Sequence, residues 1–166
     1  MVEFADRSFE NAGVGEETLS LADLAAREDV DAIVLLLQRD YHCLLCRQQV
    51  QDVAARHDEF VAENATVVSV VPEPVDRVRN WQDAYDLPYP LLADPEKRLG
   101  EAFDQPKRLG PLGDAHDLVG RMPEAVVIDA RDGTPKPTFV HAGRNPADRP
   151  TIDQLLGRVR ELRSRG

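Results

Sequence analysis

The chain has 166 residues, 42% hydrophobic and 30% charged, a size and balance that suit one globular domain over residues 1–166 and exclude a disordered segment. Its longest apolar run, Ala32 to Leu37, is far too short to span a bilayer, so no membrane is expected. With a formal charge of −10, and three lysines against 17 arginines, the dispersed acids repel polyanions, which excludes nucleic acid as an expected partner and resembles proteins adapted to a high-salt cytoplasm.

Met1 to Asn11 carries acids and lacks the basic start and apolar core of an export signal, which points to the cytoplasm. Ala32 to Gln38 is leucine-rich and β-branched without alternation, the pattern of a strand covered on both faces. After Cys46, the positions Val50, Val53, Ala54, His57, Phe60 and Val61 recur at three and four, which predicts one long helix directly after the cysteines. Ala65 to Val71 reads as a second buried strand, ended by Pro72 and Pro74, and Val75, Val78, Trp81 and Tyr85 mark the helix that follows. Leu91 to Ala93 is a short strand before a helix start at Asp94-Pro95, and Asp104 to Gly120 reads as an irregular surface loop. Glu124 to Ala130 and Lys136 to Ala142 flank Arg131-Asp132-Gly133-Thr134 as an antiparallel hairpin, and Thr151 caps a last helix bearing Ile152, Leu155, Leu156, Val159 and Leu162. A parallel strand-helix-strand start closed by a hairpin and a helix is an α/β sandwich with a central mixed β-sheet flanked by helices.

The two cysteines, Cys43 and Cys46, are the main functional clue. In a reducing cytoplasm such a pair serves redox chemistry or metal binding rather than architecture. Cys43 falls at the start of a helix, where free N–H groups and the positive end of the dipole favour a thiolate. His42 and Arg47 stand to assist it and Asp40 to oppose it. Three residues of helix separate Cα atoms by about 5 Å, inside the disulfide range of roughly 4.4–6.8 Å. So short a loop stabilises a fold by about 2 kcal/mol, against nearly 5 for a 100-residue loop, which favours reversible redox use over stapling. A zinc site needs two more ligands, and neither His42, His116 nor His141 has paired spacing, so no metal is expected. His57 reads as a core histidine, and Trp81 with Tyr85, four apart, as packing.

Strand, CxxC and helix, followed later by Met122-Pro123-Glu124-Ala125-Val126-Val127-Ile128-Asp129, resemble the thioredoxin superfamily, with Pro123 at that family's cis-proline position. Within it the chain resembles the peroxiredoxin-like branch of the alkyl hydroperoxide reductase and thiol-specific antioxidant family. Glu17 to Leu24 is similar to the segment before that family's first central strand, Cys43-Leu44-Leu45-Cys46-Arg47 to its CxxCR, and Tyr89 to Pro95 to its FPLLSDP, together covering most of residues 17 to 160. Two departures stand out. The P-x-x-x-T/S-x-x-C motif is absent, since counting back from Cys46 gives Arg39 and Cys43, and from Cys43 gives Leu36 and Asp40. The usual active-site arginine position holds Pro123, with Arg121 two residues upstream.

The resemblance implies a thioredoxin-like three-layer sandwich, a cis Met122–Pro123 bond near Cys43, and a substrate held along Met122 and Pro123. It implies a thiol-dependent oxidoreductase without a cofactor; the helix dipole and burial rank Cys43 as the sulfur that attacks a peroxide or disulfide and Cys46 as the one that resolves the intermediate. An external thiol reductant, thioredoxin-like or of low molecular weight, would restore the pair. Disulfide reductase and peroxidase both stay open, the peroxiredoxin register would make Cys46 the attacking sulfur, and a noncatalytic redox sensor or binding module is the alternative class.

Overall fold

Six consecutive apolar residues cannot leave either face in water, and Ala32–Leu37 accordingly forms a strand buried at every position in the middle of a sheet. The computed structural model describes residues 3–106 and 121–165. Among them seven strands, β1 (Phe9–Asn11), β2 (Thr18–Leu19), β3 (Ala32–Leu37), β4 (Ala65–Val71), β5 (Leu91–Ala93), β6 (Glu124–Asp129) and β7 (Lys136–Ala142), form one mixed sheet in the order β2-β1-β5-β4-β3-β6-β7. The centre is parallel, with Ala32 opposite Ala65 and Ser69 opposite Leu91. β6 and β7 add antiparallel on one side, pairing Leu37 with Glu124 and Glu124 with Ala142. Gly133, at a φ of 85°, makes the tight β6–β7 turn that a side chain would strain.

The helices are α1 (Glu3–Asp6), α2 (Leu21–Ala25), α3 (Leu44–Ala55), α4 (His57–Ala62), α5 (Val75–Tyr85), α6 (Arg98–Ala102) and α7 (Ile152–Ser164). Their apolar sides make two cores, one on each face of the sheet. Val50 and Val53 of α3, Phe60 of α4, Val78 and Trp81 of α5, and Leu156 and Val159 of α7 cover one face. Phe4, Leu21, Leu24 and Leu99, from α1, α2 and α6, cover the other. This is the expected α/β three-layer sandwich. Each fully buried leucine or valine contributes about 1.5–3 kcal/mol, so both cores are needed to offset chain entropy.

Several expectations need correction. The single long helix after the cysteines is two, because Arg56 leaves helical geometry at φ −115°, ψ 19°, where its amide bonds Val53 O and its own carbonyl accepts from Glu59. Its guanidinium meanwhile grips Glu59 and Asp153. The helix expected from Asp94-Pro95 begins at Arg98, because the buried Asp94 carboxylate accepts the amides of Arg98 and Leu99 at 2.9 and 2.8 Å. Thr151 caps α7 as expected, in a capping box with Gln154. The short elements α1, β1, β2 and α2 had no periodicity to announce them. Most of the expected surface loop, including His116, lies outside the described residues.

Candidate functional site

The site lies where β3 ends, and local chemistry fixes the approach to it. Asp40 Oδ1 accepts the His42 amide at 2.8 Å, turning the chain toward α3. The Tyr41 carbonyl is held by Trp81 Nε1 at 3.3 Å and Arg47 Nε at 3.1 Å. The Tyr41 ring lies under the Arg47 and Arg77 guanidiniums, 4.9 and 5.3 Å from its centroid, and stacks toward Trp81. Arg47, expected to assist the thiol, thus braces the loop beneath it.

Cys43 is the N-cap of α3, its Sγ accepting the Cys46 amide at 3.1 Å. The two cysteines form a disulfide across a Cα separation of 5.2 Å. Cys43 is 6% exposed and Cys46 fully buried, with Leu44 (77% exposed) and Leu45 forming an apolar lip between them. Both sulfurs are therefore buried, Cys43 less deeply than Cys46, where the sequence led to an expectation of an exposed Cys43.

The charges around the sulfurs come from residues that sequence reasoning did not select. Arg149, in the segment leading to α7, places Nη2 3.0 Å from Cys46 Sγ and 3.7 Å from Cys43 Sγ. Arg39 donates its backbone amide to Cys46 Sγ at 3.3 Å and sets Nη1 3.8 Å from Cys43 Sγ. Burial, and then the Arg39 guanidinium, push the Arg149 pKa down to about 10. Thiolate stabilisation is thus shared between the sulfurs, and the nearer guanidinium favours Cys46. Arg121, the sequence candidate for the missing arginine, turns away to Glu101 at 2.9 Å. Arg39 was visible only as the residue standing where the family motif has proline, and Arg149, 106 residues from Cys43, carried no local signal.

The segment that the resemblance assigned to substrate is arranged otherwise. No cis peptide bond occurs among the described residues, so Met122–Pro123 is trans and the cis expectation is corrected. The physical reason is local pairing. Met122 gives its amide to Pro106 O at 2.7 Å and receives Gln105 Nε2 on its carbonyl at 2.9 Å, which holds this backbone in place with the trans bond. Pro123 instead shares a small cleft with Gln49 and Arg149, and its carbonyl accepts from Gly143. Of the other histidines, His57 is half-buried against Tyr89, burial lowering its pKa, and His141 pairs with Asp148 at 2.9 Å. Among the described residues no cluster of three His, Cys, Asp or Glu is suited to a metal ion, and no helix is long and apolar enough to cross a membrane.

Three comparisons bear on this geometry. The AhpC/TSA family model matches residues 4–133. Peroxiredoxin Bcp of Bacillus subtilis (strain 168) is 30% identical over 59 residues, which span 36% of this chain and 38% of that protein. The solved bacterioferritin comigratory protein of Xanthomonas campestris, a study of alkyl peroxide reduction, superposes at TM-score 0.74 with 14% identity, covering 99% of this chain and 95% of that one. Peroxidoxin BcpB of Mycobacterium tuberculosis does so at 0.72 with 20% identity, covering 95% and 92%. These two structural likenesses speak to the thioredoxin-like fold.

Proposed function

Because the chain belongs to the AhpC/TSA family, we propose that it is a thiol-dependent oxidoreductase that reduces peroxides or disulfides by cycling Cys43 and Cys46 between dithiol and disulfide. The observation that carries this reading is the sulfur pair itself, capping a helix and ringed by two guanidiniums. With a peroxide, the Cys43 thiolate attacks an oxygen, the O–O bond breaks, Cys43 becomes a sulfenic acid, and the departing alkoxide or hydroxide takes a proton from solvent to leave as alcohol or water. Cys46 then attacks the Cys43 sulfur, a water departs, and the disulfide closes. With a disulfide substrate the first product is a mixed disulfide, which Cys46 resolves in the same way. Two equivalents of an external thiol, thioredoxin-like or of low molecular weight, supply the electrons that reopen the pair.

A panel of hydrogen peroxide, an alkyl hydroperoxide and a small disulfide, each with dithiothreitol as reductant, tests this on wild type, Cys43→Ser and Cys46→Ser. Wild type should turn over with at least one substrate, Cys43→Ser should not react, and Cys46→Ser should accumulate a sulfenic acid or mixed disulfide on Cys43 when dithiothreitol is left out. Reversible oxidation with no turnover on any substrate would contradict the reading and favour a redox sensor. We further place the protein in a reducing, salt-rich cytoplasm, on its paired cysteines and its net charge of −10.

A further inference from the structure

Arg149 is a half-buried cation held by dipoles. Its Nε donates to Pro146 O at 2.9 Å, and Nη1 to Gln38 Oε1 at 2.9 Å and Gln49 Oε1 at 2.7 Å. Gln38 Nε2 in turn donates to Gln49 Oε1 at 3.1 Å, which orients that amide toward the guanidinium. Among the described residues Arg149 makes no ion pair with a carboxylate, although Asp148 and Glu124 line the same cleft, and its hydrogen-bond partners that can take a full negative charge are the two sulfurs. In the disulfide neither sulfur is charged. Reduction supplies the missing counter-ion.

The two sulfurs are also unequal. Each accepts one backbone amide, but Cys43, beside the exposed Leu44, is the less deeply buried and has its guanidiniums at 3.7 and 3.8 Å, whereas Cys46 is fully buried and has the single closest guanidinium, at 3.0 Å. In thiol–disulfide exchange the sulfur whose thiolate is better stabilised departs faster.

We propose that Arg149 sets the direction in which the disulfide opens, so that an incoming thiolate attacks Cys43 Sγ while Cys46 Sγ leaves as a thiolate onto the Arg149 guanidinium. The inference rests on the redox reading of the pair. In the first step a bond forms between the reductant sulfur and Cys43 as the Cys43–Cys46 bond breaks, its electron pair going to Cys46. In the second, another reductant thiolate attacks the first reductant sulfur of the mixed disulfide and releases Cys43 as a thiolate, which takes up a proton from water. The reductant ends as a disulfide and each cysteine has gained one electron. The same ion pair favours the reduced state at equilibrium and raises the reduction potential.

The test equilibrates full-length wild type, Arg149→Gln and Gln49→Leu with mixtures of reduced and oxidised dithiothreitol and quantifies free thiols by alkylation and mass. Thiolate absorbance of Cys46 is titrated for each in the Cys43→Ser background. Arg149→Gln should move the dithiol–disulfide equilibrium at least tenfold toward disulfide, about 30 mV for a two-electron couple, and raise the Cys46 pKa by about one unit. Gln49→Leu should shift both in the same direction by less. A folded Arg149→Gln protein with both quantities unmoved overturns the proposal, as does an unmoved Gln49→Leu protein should Arg149→Gln not fold. A wild-type pair that never reduces overturns the redox reading itself. A pair that cycles normally while the variants stay unmoved overturns only the role of Arg149.

Discussion

Arg149, half-buried, and Glu124, fully buried, lie at the same end of the sheet, on opposite faces, and the fold treats their charges differently. Arg149 keeps its charge among two glutamine amides, a carbonyl and two sulfurs. Glu124 begins β6 and, by the alternation of that strand, faces the core of α1, α2 and α6 with Val126 rather than the sulfurs with Ala125. It is 3% exposed, and neither carboxylate oxygen has a hydrogen-bond partner among the described residues. Burial, and secondarily Asp104, raise its pKa to about 7. A charge survives where oriented dipoles and residual solvent contact surround it, and is surrendered to a proton where it is fully buried with neither.

The largest expected contrast is in activity. Cys43→Ser should abolish reaction with peroxide or disulfide, whereas Glu124→Gln, on the other face, should keep the wild-type rate within about twofold. A stopped-flow assay of both variants checks this, and a Glu124→Gln protein with severely reduced activity would break the division between faces. Next is the core that braces the sulfur loop. Trp81→Ala removes a fully buried ring and the donor to Tyr41 O, and should cost about 3–5 kcal/mol of unfolding free energy in a urea titration.

Glu124 itself supplies the third effect. Between its ordinary pKa of 4.5 and about 7 the folded protein holds a proton that the unfolded chain releases, so stability should fall as pH rises through that window. Glu124→Gln should flatten this fall, recovering on the order of 2 kcal/mol above pH 7 and nothing below pH 4.5. Denaturation midpoints measured across the window test it, and parallel wild-type and variant profiles would contradict it. The smallest effect comes from the surface. Screening of the excess acids, with a Debye length of about 3 Å at 1 M salt, should raise the unfolding midpoint modestly while leaving the Glu124 pH profile in place. A midpoint indifferent to salt would remove the high-salt reading.

The legible parts of the sequence were those whose physics is local. The unbroken apolar runs of β3 and β4, the Gly133 turn and the Thr151 cap each declare themselves within a few residues, and so does Cys43 at the mouth of α3. The helix break at Arg56 was hidden because the apolar period continues through it to Phe60, while the break is set by side-chain contacts with Glu59 and the distant Asp153. The late start of α6 depends on which amides the Asp94 carboxylate chooses. β1 and β2, at three and two residues, are too short for any period to show. Arg149 reaches the sulfurs only through tertiary folding, and the trans Met122–Pro123 bond follows from Gln105 and Pro106, partners that family resemblance did not bring into view.

In the proposed cycle Cys43 is the sulfur that meets substrate. Reduced wild-type protein treated with a substoichiometric dose of an alkylating reagent, then digested and mapped by mass, tests this most directly. The account predicts that the first adduct sits on Cys43 with Cys46 unmodified. An adduct that appears first on Cys46 would contradict it and reverse the two roles.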